Sequence, residues 1–182
     1  VGGGPAGSTA AYCMARAGLS VLLLERGDAM GSKNVSGGRL YAHSLERVIP
    51  GFAAVAPVER KVVRETVSLL TEESSVSLDF ASGKLAGDAA AASYTVLRVE
   101  FDAWLARQAE EAGCDVVNPA RVDDLLRDET GVLGVVAGED EITAEVVVLA
   151  DGVNSLLAQK AGLKKEPTPH QVAVGAKEII EL

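Results

Sequence analysis

Val1-Gly2-Gly3-Gly4-Pro5-Ala6-Gly7, and the run Ser20-Val21-Leu22-Leu23-Leu24-Glu25 downstream of it, decide the fold. Gly2, Gly4 and Gly7 have the spacing G-x-G-x-x-G. The first glycine of that pattern makes a tight turn, the second lets backbone approach a pyrophosphate, and the third lets a helix pack close to a sheet. Pro5 to Ala17 reads as that helix, closed by Gly18. Its first N–H groups and its dipole favour an anion at the N-terminal end. Alone the loop is weak, because a glycine-rich turn can precede any helix. The order of the next elements strengthens it. Ser20 to Leu24 is the continuous apolar run of a strand buried on both faces. Glu25 ends it, about twenty residues after the first glycine, where an acid accepts hydrogen bonds from a ribose 2′-hydroxyl and disfavours the 2′-phosphate of NADP. A solvated strand-end carboxylate is the plain alternative.

Working outward, Gly31 to Gly38 is polar, glycine-punctuated and too irregular for an element, and Ala42 to Ile49 reads as a short helix stopped by Pro50-Gly51. Lys61 to Thr71 and Ser75 to Phe80 suggest an antiparallel pair inside an insertion over 61–93, with Ser82 to Ser93 a surface loop. Tyr94 to Leu97 is a strand, and Glu100 to Ala112 an amphipathic helix with Phe101, Trp104, Leu105 and Ala109 at helical spacing. Asp115-Val116-Val117 resumes the buried type of strand. Val122 to Arg127 and Val132 to Ala137 flank Asp128-Glu129-Thr130-Gly131 as a hairpin. Ile142 to Ala150 reads as a last apolar strand, running into Asp151-Gly152 and a helix from Ser155 to Ala161. A carboxylate at such a strand end lies where open α/β sheets bind ligands, although Asp151 as a plain helix N-cap is also reasonable. Parallel βαβ units interrupted by antiparallel pieces predict an α/β, Rossmann-like three-layer nucleotide-binding fold with an inserted antiparallel sheet. A glycine loop of this kind needs a strand to deliver it, so the first strand is expected to have lost most of its length ahead of Val1.

Composition narrows the function. A net charge of -9 leaves no basic stripe for a phosphate backbone, so no nucleic-acid partner is expected. Cys13 and Cys114 lie far apart with no CxxC pair, which argues against a zinc knuckle, an iron–sulfur cluster or a redox dithiol and for two buried free thiols. No apolar run approaches the ~20 residues of a membrane span. His43 and His170 are the only histidines, and neither has a persuasive serine partner, so a bound cofactor is expected to carry the chemistry.

GGGPAG at 2–7, Leu24-Glu25-Arg26-Gly27, Gly31-Ser32-Lys33-Asn34, Tyr94-Thr95-Val96-Leu97-Arg98 with Phe101-Asp102 and Trp104-Leu105, and Leu149-Ala150-Asp151-Gly152-Val153-Asn154-Ser155 occur together in one order. In this the chain resembles the FixC family of electron-transfer flavoprotein:quinone oxidoreductases over nearly its whole length. The first and last motifs are shared with many FAD enzymes, aromatic hydroxylases and geranylgeranyl reductases among them; the 31–38 stretch running into Leu40-Tyr41 discriminates more. The resemblance implies a glutathione-reductase-type FAD-binding fold over 1–182, incomplete because a later Gly-Asp motif for the ribityl chain and a substrate-facing domain are absent. It implies that Gly2, Gly4, Pro5, Ala6 and Gly7 hold the FAD pyrophosphate, and Glu25, with Arg26 beside it, the adenosine ribose. Lys33, Ser36, Gly37 and Gly38 would pass near the flavin, Lys33 as a partner for its reduced anionic form or as a solvated lysine. Arg98 would reach the cofactor or pair with Glu100 or Asp102. Val122 would offer backbone groups to the adenine, and Asp151 and Gly152 would close around the diphosphate side.

The function so implied is passage of electrons through FAD from an electron-transfer flavoprotein of the FixA/FixB kind toward quinone, with a ferredoxin-like FixX-type subunit as a further partner. The location implied is cytoplasmic, peripheral at the inner face of the cell membrane. Two alternatives stay open: a flavin-dependent reductase or monooxygenase acting on a lipid or aromatic substrate, and a non-catalytic flavin-binding subunit that docks partners.

Overall fold

Proline opens the first helix at no loss, because first-turn N–H groups have no intrahelical acceptor, and Gly18, at φ 83°, lets the chain turn away after it. In the computed structural model, which describes residues 1–34, 37–83, 87–89 and 91–176, the elements in chain order are α1 (Pro5–Arg16), β1 (Leu22–Leu24), β2 (Gly37–Tyr41), α2 (Ala42–Val48), β3 (Val58–Lys61), β4 (Arg64–Leu70), β5 (Ser75–Ala81), β6 (Ser93–Leu97), α3 (Arg98–Glu111), β7 (Asp115–Val117), β8 (Asp124–Asp128), β9 (Gly131–Ala137), β10 (Asp140–Thr143) and α4 (Leu156–Lys160). They divide into two units, one of Val1–Ser36 with Arg98–Leu182 and the other of Gly37–Leu97. The antiparallel strands expected over 61–93 belong to the second.

The first unit has three layers. β1 and β7 pair in parallel, Leu23 opposite Val116. The Gly2 N–H donates to Leu24 O at 2.8 Å, the Val1 amino group to Val148 O at 2.8 Å, and the Ala150 N–H to Val1 O at 2.8 Å. The last two are the bonds of a parallel bridge. The two-stranded sheet β7-β1 is thus flanked in order by the chain at 1–2 and then by the chain at 148–150. Leu23 packs under α1 and α3 with Ala11, Ala15, Ala106 and Ala109. Leu24, on the opposite face as a strand demands, packs on Leu125 and Val135 of the antiparallel sheet β10-β9-β8. Alanines where the helices meet let backbones approach closely, which suits a chain poor in aromatics.

In the second unit, β2-β6-β3 form an antiparallel sheet, with Gly37 opposite Leu97 and Tyr41 opposite Ser93. Phe52 is fully buried, edge-on to Tyr94 at 6.2 Å. β4 and β5 make a hairpin in register from Arg64↔Ala81 to Leu70↔Ser75. One face of it carries the Ser68–Ser77 hydroxyl pair and Arg64 on Asp79; the other carries Val67, Leu69, Val76, Leu78 and Phe80, all exposed.

Three expectations need correction. Ile142 to Ala150 is not one strand: β10 ends at Thr143, and the chain then crosses to run beside Val1. The two apolar stretches read as one run because only Thr143-Ala144-Glu145 separates them, and the exposed Glu145 marks the crossing. Gly37 and Gly38 lie in a strand, not an irregular stretch, disguised by glycine's poor strand propensity. Cys114 is buried, but Cys13 is exposed, because Ala11 and Ala15 define the buried stripe of α1 and residue 13 falls on the other side.

Among the described residues, no helix is long and apolar enough to cross a membrane and no group of side chains is arranged to hold a metal ion.

Candidate functional site

The four loop glycines are small for different reasons. A Cβ on Gly2 would meet Ala150 O at 2.4 Å, and φ there is 99°; a Cβ on Gly7 would meet Gly2 O at 1.8 Å; one on Gly3 would meet the Met30 sulfur at 2.0 Å. Gly2 and Gly7 are demanded by contact with backbone, whereas at Gly3 the atom met first is near the end of the flexible Met30 side chain. At Gly4 a Cβ meets nothing within 4 Å, and the backbone is ordinary extended chain at φ -76°. Gly4 is the N-cap of α1 and supplies no side-chain cap, and Pro5 comes next, at the first turn. Beyond it lies open space faced by uncapped helix N–H groups, the setting in which a helix N-terminus takes an anion.

Glu25 is buried at the end of β1 (7% exposed). Its Oε2 accepts the Gly3 N–H at 2.9 Å, and its Oε1 accepts the Gly27 N–H at 2.7 Å together with the Lys33 ammonium. Burial pushes the carboxyl pKa up, but the Lys33 bond and the two backbone bonds outweigh it, so the net shift is downward and Glu25 is ionised. Lys33 thus sits on the acid beside the glycine loop. Arg26, next in sequence, is exposed.

Arg98 pairs with Asp102 along the first turn of α3, Nε to Oδ1 at 2.8 Å and Nη2 to Oδ2 at 2.7 Å. Asp102 is fully buried, while the Arg98 side chain keeps 31% of its surface exposed. Asn34 adds an Nδ2 donor to Asp102 Oδ2 at 2.9 Å. Asp151 accepts the Leu157 N–H at 2.9 Å and so supports the start of α4, and Gly152 beside it is exposed at φ 82°. The Val122 side chain packs against the Leu24–Leu125–Val135 core. The backbone on either side is tied down, Ala120 N–H to Glu25 O at 2.7 Å and Asp123 N–H to Val136 O at 2.8 Å. Gly37 and Gly38 belong to the second unit, and Ser36 lies outside the described residues.

The first unit therefore gathers the glycine loop, Glu25 and Lys33 at one place, and holds Arg98 on Asp102. Asp102 was expected only as an alternative partner for Arg98, and its full burial was not; Asn34 was not expected as a participant. A carboxylate between Phe101 and Trp104-Leu105, on the apolar stripe of a helix, was the available signal.

A family model described as an FAD binding domain matches residues 1–180. The chain belongs to the FAD-binding domain family. The open cradle at Gly4 and the strand-end acid Glu25 fit what FAD requires of such a domain, room for a diphosphate at a helix N-terminus and an acceptor for a ribose hydroxyl. This FAD-binding domain is 57% identical over its whole length to "Probable electron transfer flavoprotein-quinone oxidoreductase YdiS" of Escherichia coli K12 and 53% identical to "Protein FixC" of the same strain, spanning 42% of each. Among solved structures it is similar to a geranylgeranyl bacteriochlorophyll reductase-like protein from Thermoplasma acidophilum, with a TM-score of 0.72 and 28% identity over 90% of this chain and 41% of that one. Glycine oxidase from Bacillus cereus shares the fold at 20% identity and a TM-score of 0.62, over 89% of this chain and 58% of that one. The domain thus spans about two fifths of the curated relatives' length.

Proposed function

We propose that the protein carrying this domain is an FAD-dependent oxidoreductase that passes electrons from an electron-transfer flavoprotein toward quinone. The observation that carries this is identity of 57% and 53%, across every residue of the domain, to relatives named for that activity or as FixC. Bound FAD would supply the one- and two-electron chemistry. The protein's own residues bind and orient it: Gly4, Pro5, Ala6 and the α1 N-terminus at the diphosphate, Gly2 and Gly7 by closing the loop, and Glu25 at the adenosine ribose. Arg98, held by Asp102, keeps donors for an anionic group, and Asp151 and Gly152 border the diphosphate side. Val122 lies where backbone groups would face the adenine. Residues 61–93 are an antiparallel piece inserted in this domain. A ferredoxin-like subunit and a peripheral place at the inner face of the cell membrane complete the reading.

The test uses the full-length flavoprotein, mixed anaerobically with a reduced electron-transfer flavoprotein and then with a soluble quinone analogue. Flavin reduction and then quinone-dependent reoxidation are expected. A flavin that ignores both partners but is reduced rapidly by NAD(P)H would overturn the proposal. That result would favour a reductase acting on a lipid substrate, the reading to which the 28% identity with the geranylgeranyl reductase-like structure gives weight.

A further inference from the structure

Lys33 lies eight residues beyond Glu25, at the far end of a loop fixed on both sides. At the near end a Cβ at position 27 would crowd the side chains of the cluster itself, meeting Ser32 Oγ at 2.9 Å, Glu25 Oε1 at 3.1 Å and Lys33 Cε at 3.1 Å. In the middle Gly31, at φ 78°, presses on the start of α3, where a Cβ would meet Val99 O at 2.9 Å and Arg98 O at 3.0 Å. At the far end Asn34 is anchored twice, by its N–H on Gly31 O at 2.8 Å and by its amide on the buried Asp102 at 2.9 Å. The lysine is thus delivered by a braced loop rather than by a freely rotating surface segment.

An ionised carboxylate has about four acceptor sites. Gly3, Gly27 and Lys33 take three of those on Glu25, two on Oε1 and one on Oε2. One site on Oε2 remains. We propose that Lys33 is a positioning residue for the adenosine half of FAD: braced by the Asn34–Asp102 bond, its ammonium fixes the Glu25 carboxylate so that a single Oε2 lone pair is presented to one ribose hydroxyl. This assigns Lys33 to the nucleotide end of the cofactor and not to the flavin ring. It rests on the placement of Glu25 at the ribose and is independent of the electron donor and acceptor.

The experiment measures FAD and ADP binding to the apoprotein, by quenching of flavin fluorescence and by competition, and the flavin midpoint potential of the holoprotein. Lys33→Met should weaken FAD and ADP by the same factor, about two- to fivefold given that the lysine is half-exposed, and leave the potential unchanged. Lys33→Arg should restore both affinities, and Lys33→Gln, which can donate but carries no charge, should fall between. Asn34→Leu should weaken both ligands less, and combined with Lys33→Met should add less than its separate effect, because both act through one loop. Unchanged ADP affinity with a shifted potential would overturn the proposal and return Lys33 to the flavin. Glu25→Gln distinguishes the ribose placement from the lysine's part in it. If it leaves ADP binding intact, the ribose placement itself is wrong; if it weakens ADP binding while Lys33→Met does not, only the lysine's role fails.

Discussion

Gly7 lies so close to Gly2 that a Cβ on residue 7 would fall 1.8 Å from the Gly2 carbonyl oxygen, whereas a Cβ on Gly4, three residues earlier, would touch nothing within 4 Å. Two glycines of one loop therefore answer to different demands, the protein's own packing and the ligand's. Gly7→Ala should destabilise the apoprotein by about 1–3 kcal/mol, the usual range for overpacking. Gly4→Val should cost the apoprotein only the modest loss of a poorer N-cap residue, about 0.5–1 kcal/mol, yet abolish FAD retention. Urea unfolding of the apoproteins, set beside flavin content after purification, checks both. Equal stability loss in the two variants would refute the distinction.

The pair Arg98–Asp102 predicts an asymmetry. Asp102 is fully buried and Arg98 is partly in water. Arg98→Met strands a buried carboxylate with, among the described residues, only the Asn34 side chain to donate to it, while Asp102→Asn leaves a guanidinium that can turn toward solvent. Breaking a buried pair from one side costs about 3–5 kcal/mol. Because this one reaches solvent, Arg98→Met should lose less than that range, roughly 2–3 kcal/mol, and Asp102→Asn distinctly less again. Denaturant midpoints at matched slope would show the order.

Glu25 predicts a pH dependence. Its pKa is lowered in the folded state despite burial, through Lys33, Gly3 and Gly27. A depressed carboxyl contributes stability that is present above its unfolded pKa and lost as pH falls through its folded pKa. Apoprotein stability should therefore decline in the acid limb below the ordinary glutamate range, and Glu25→Gln should flatten that part of the curve. An identical acid limb in the variant would mean that Glu25 is not a source of it.

The two cysteines should separate cleanly. Cys13 is exposed and Cys114 buried, and burial pushes the Cys114 thiol above its ordinary pKa. Thiolate, not thiol, reacts with alkylating reagents. Iodoacetamide under native conditions should modify Cys13 and spare Cys114, with both modified in denaturant. Peptide mass mapping reads the result directly.

Where the sequence was informative, a spacing constrained by geometry stood next to a hydrophobic pattern. The loop from Gly2 to Gly7, the apolar Leu23-Leu24 and Glu25 after them could be ordered without coordinates because each requires the next. Hairpin boundaries around Gly131 came from turn chemistry. What escaped were relationships between distant side chains. Nothing local in Asn34 announces Asp102, and the Gly3 N–H that occupies Glu25 is a backbone group invisible to any residue pattern. Strand limits in apolar runs escaped as well: Ile142 and Val147 look alike in sequence, yet one belongs to the antiparallel sheet and the other to the segment beside Val1.

That segment has a consequence for biosynthesis. The turn at Gly2 rests against Ala150, and the hydrogen bonds between Val1 and the 148–150 strand span most of the chain. A ribosome adding about 5–20 residues per second would release the glycine loop well before the strand that seats it. The nascent chain then holds that loop by its bonds to Leu24 and Glu25, without the contact at Ala150, until residue 150 has cleared the exit tunnel. Flavin capture during translation is thereby deferred to a late moment, set by a strand far downstream of the loop it completes.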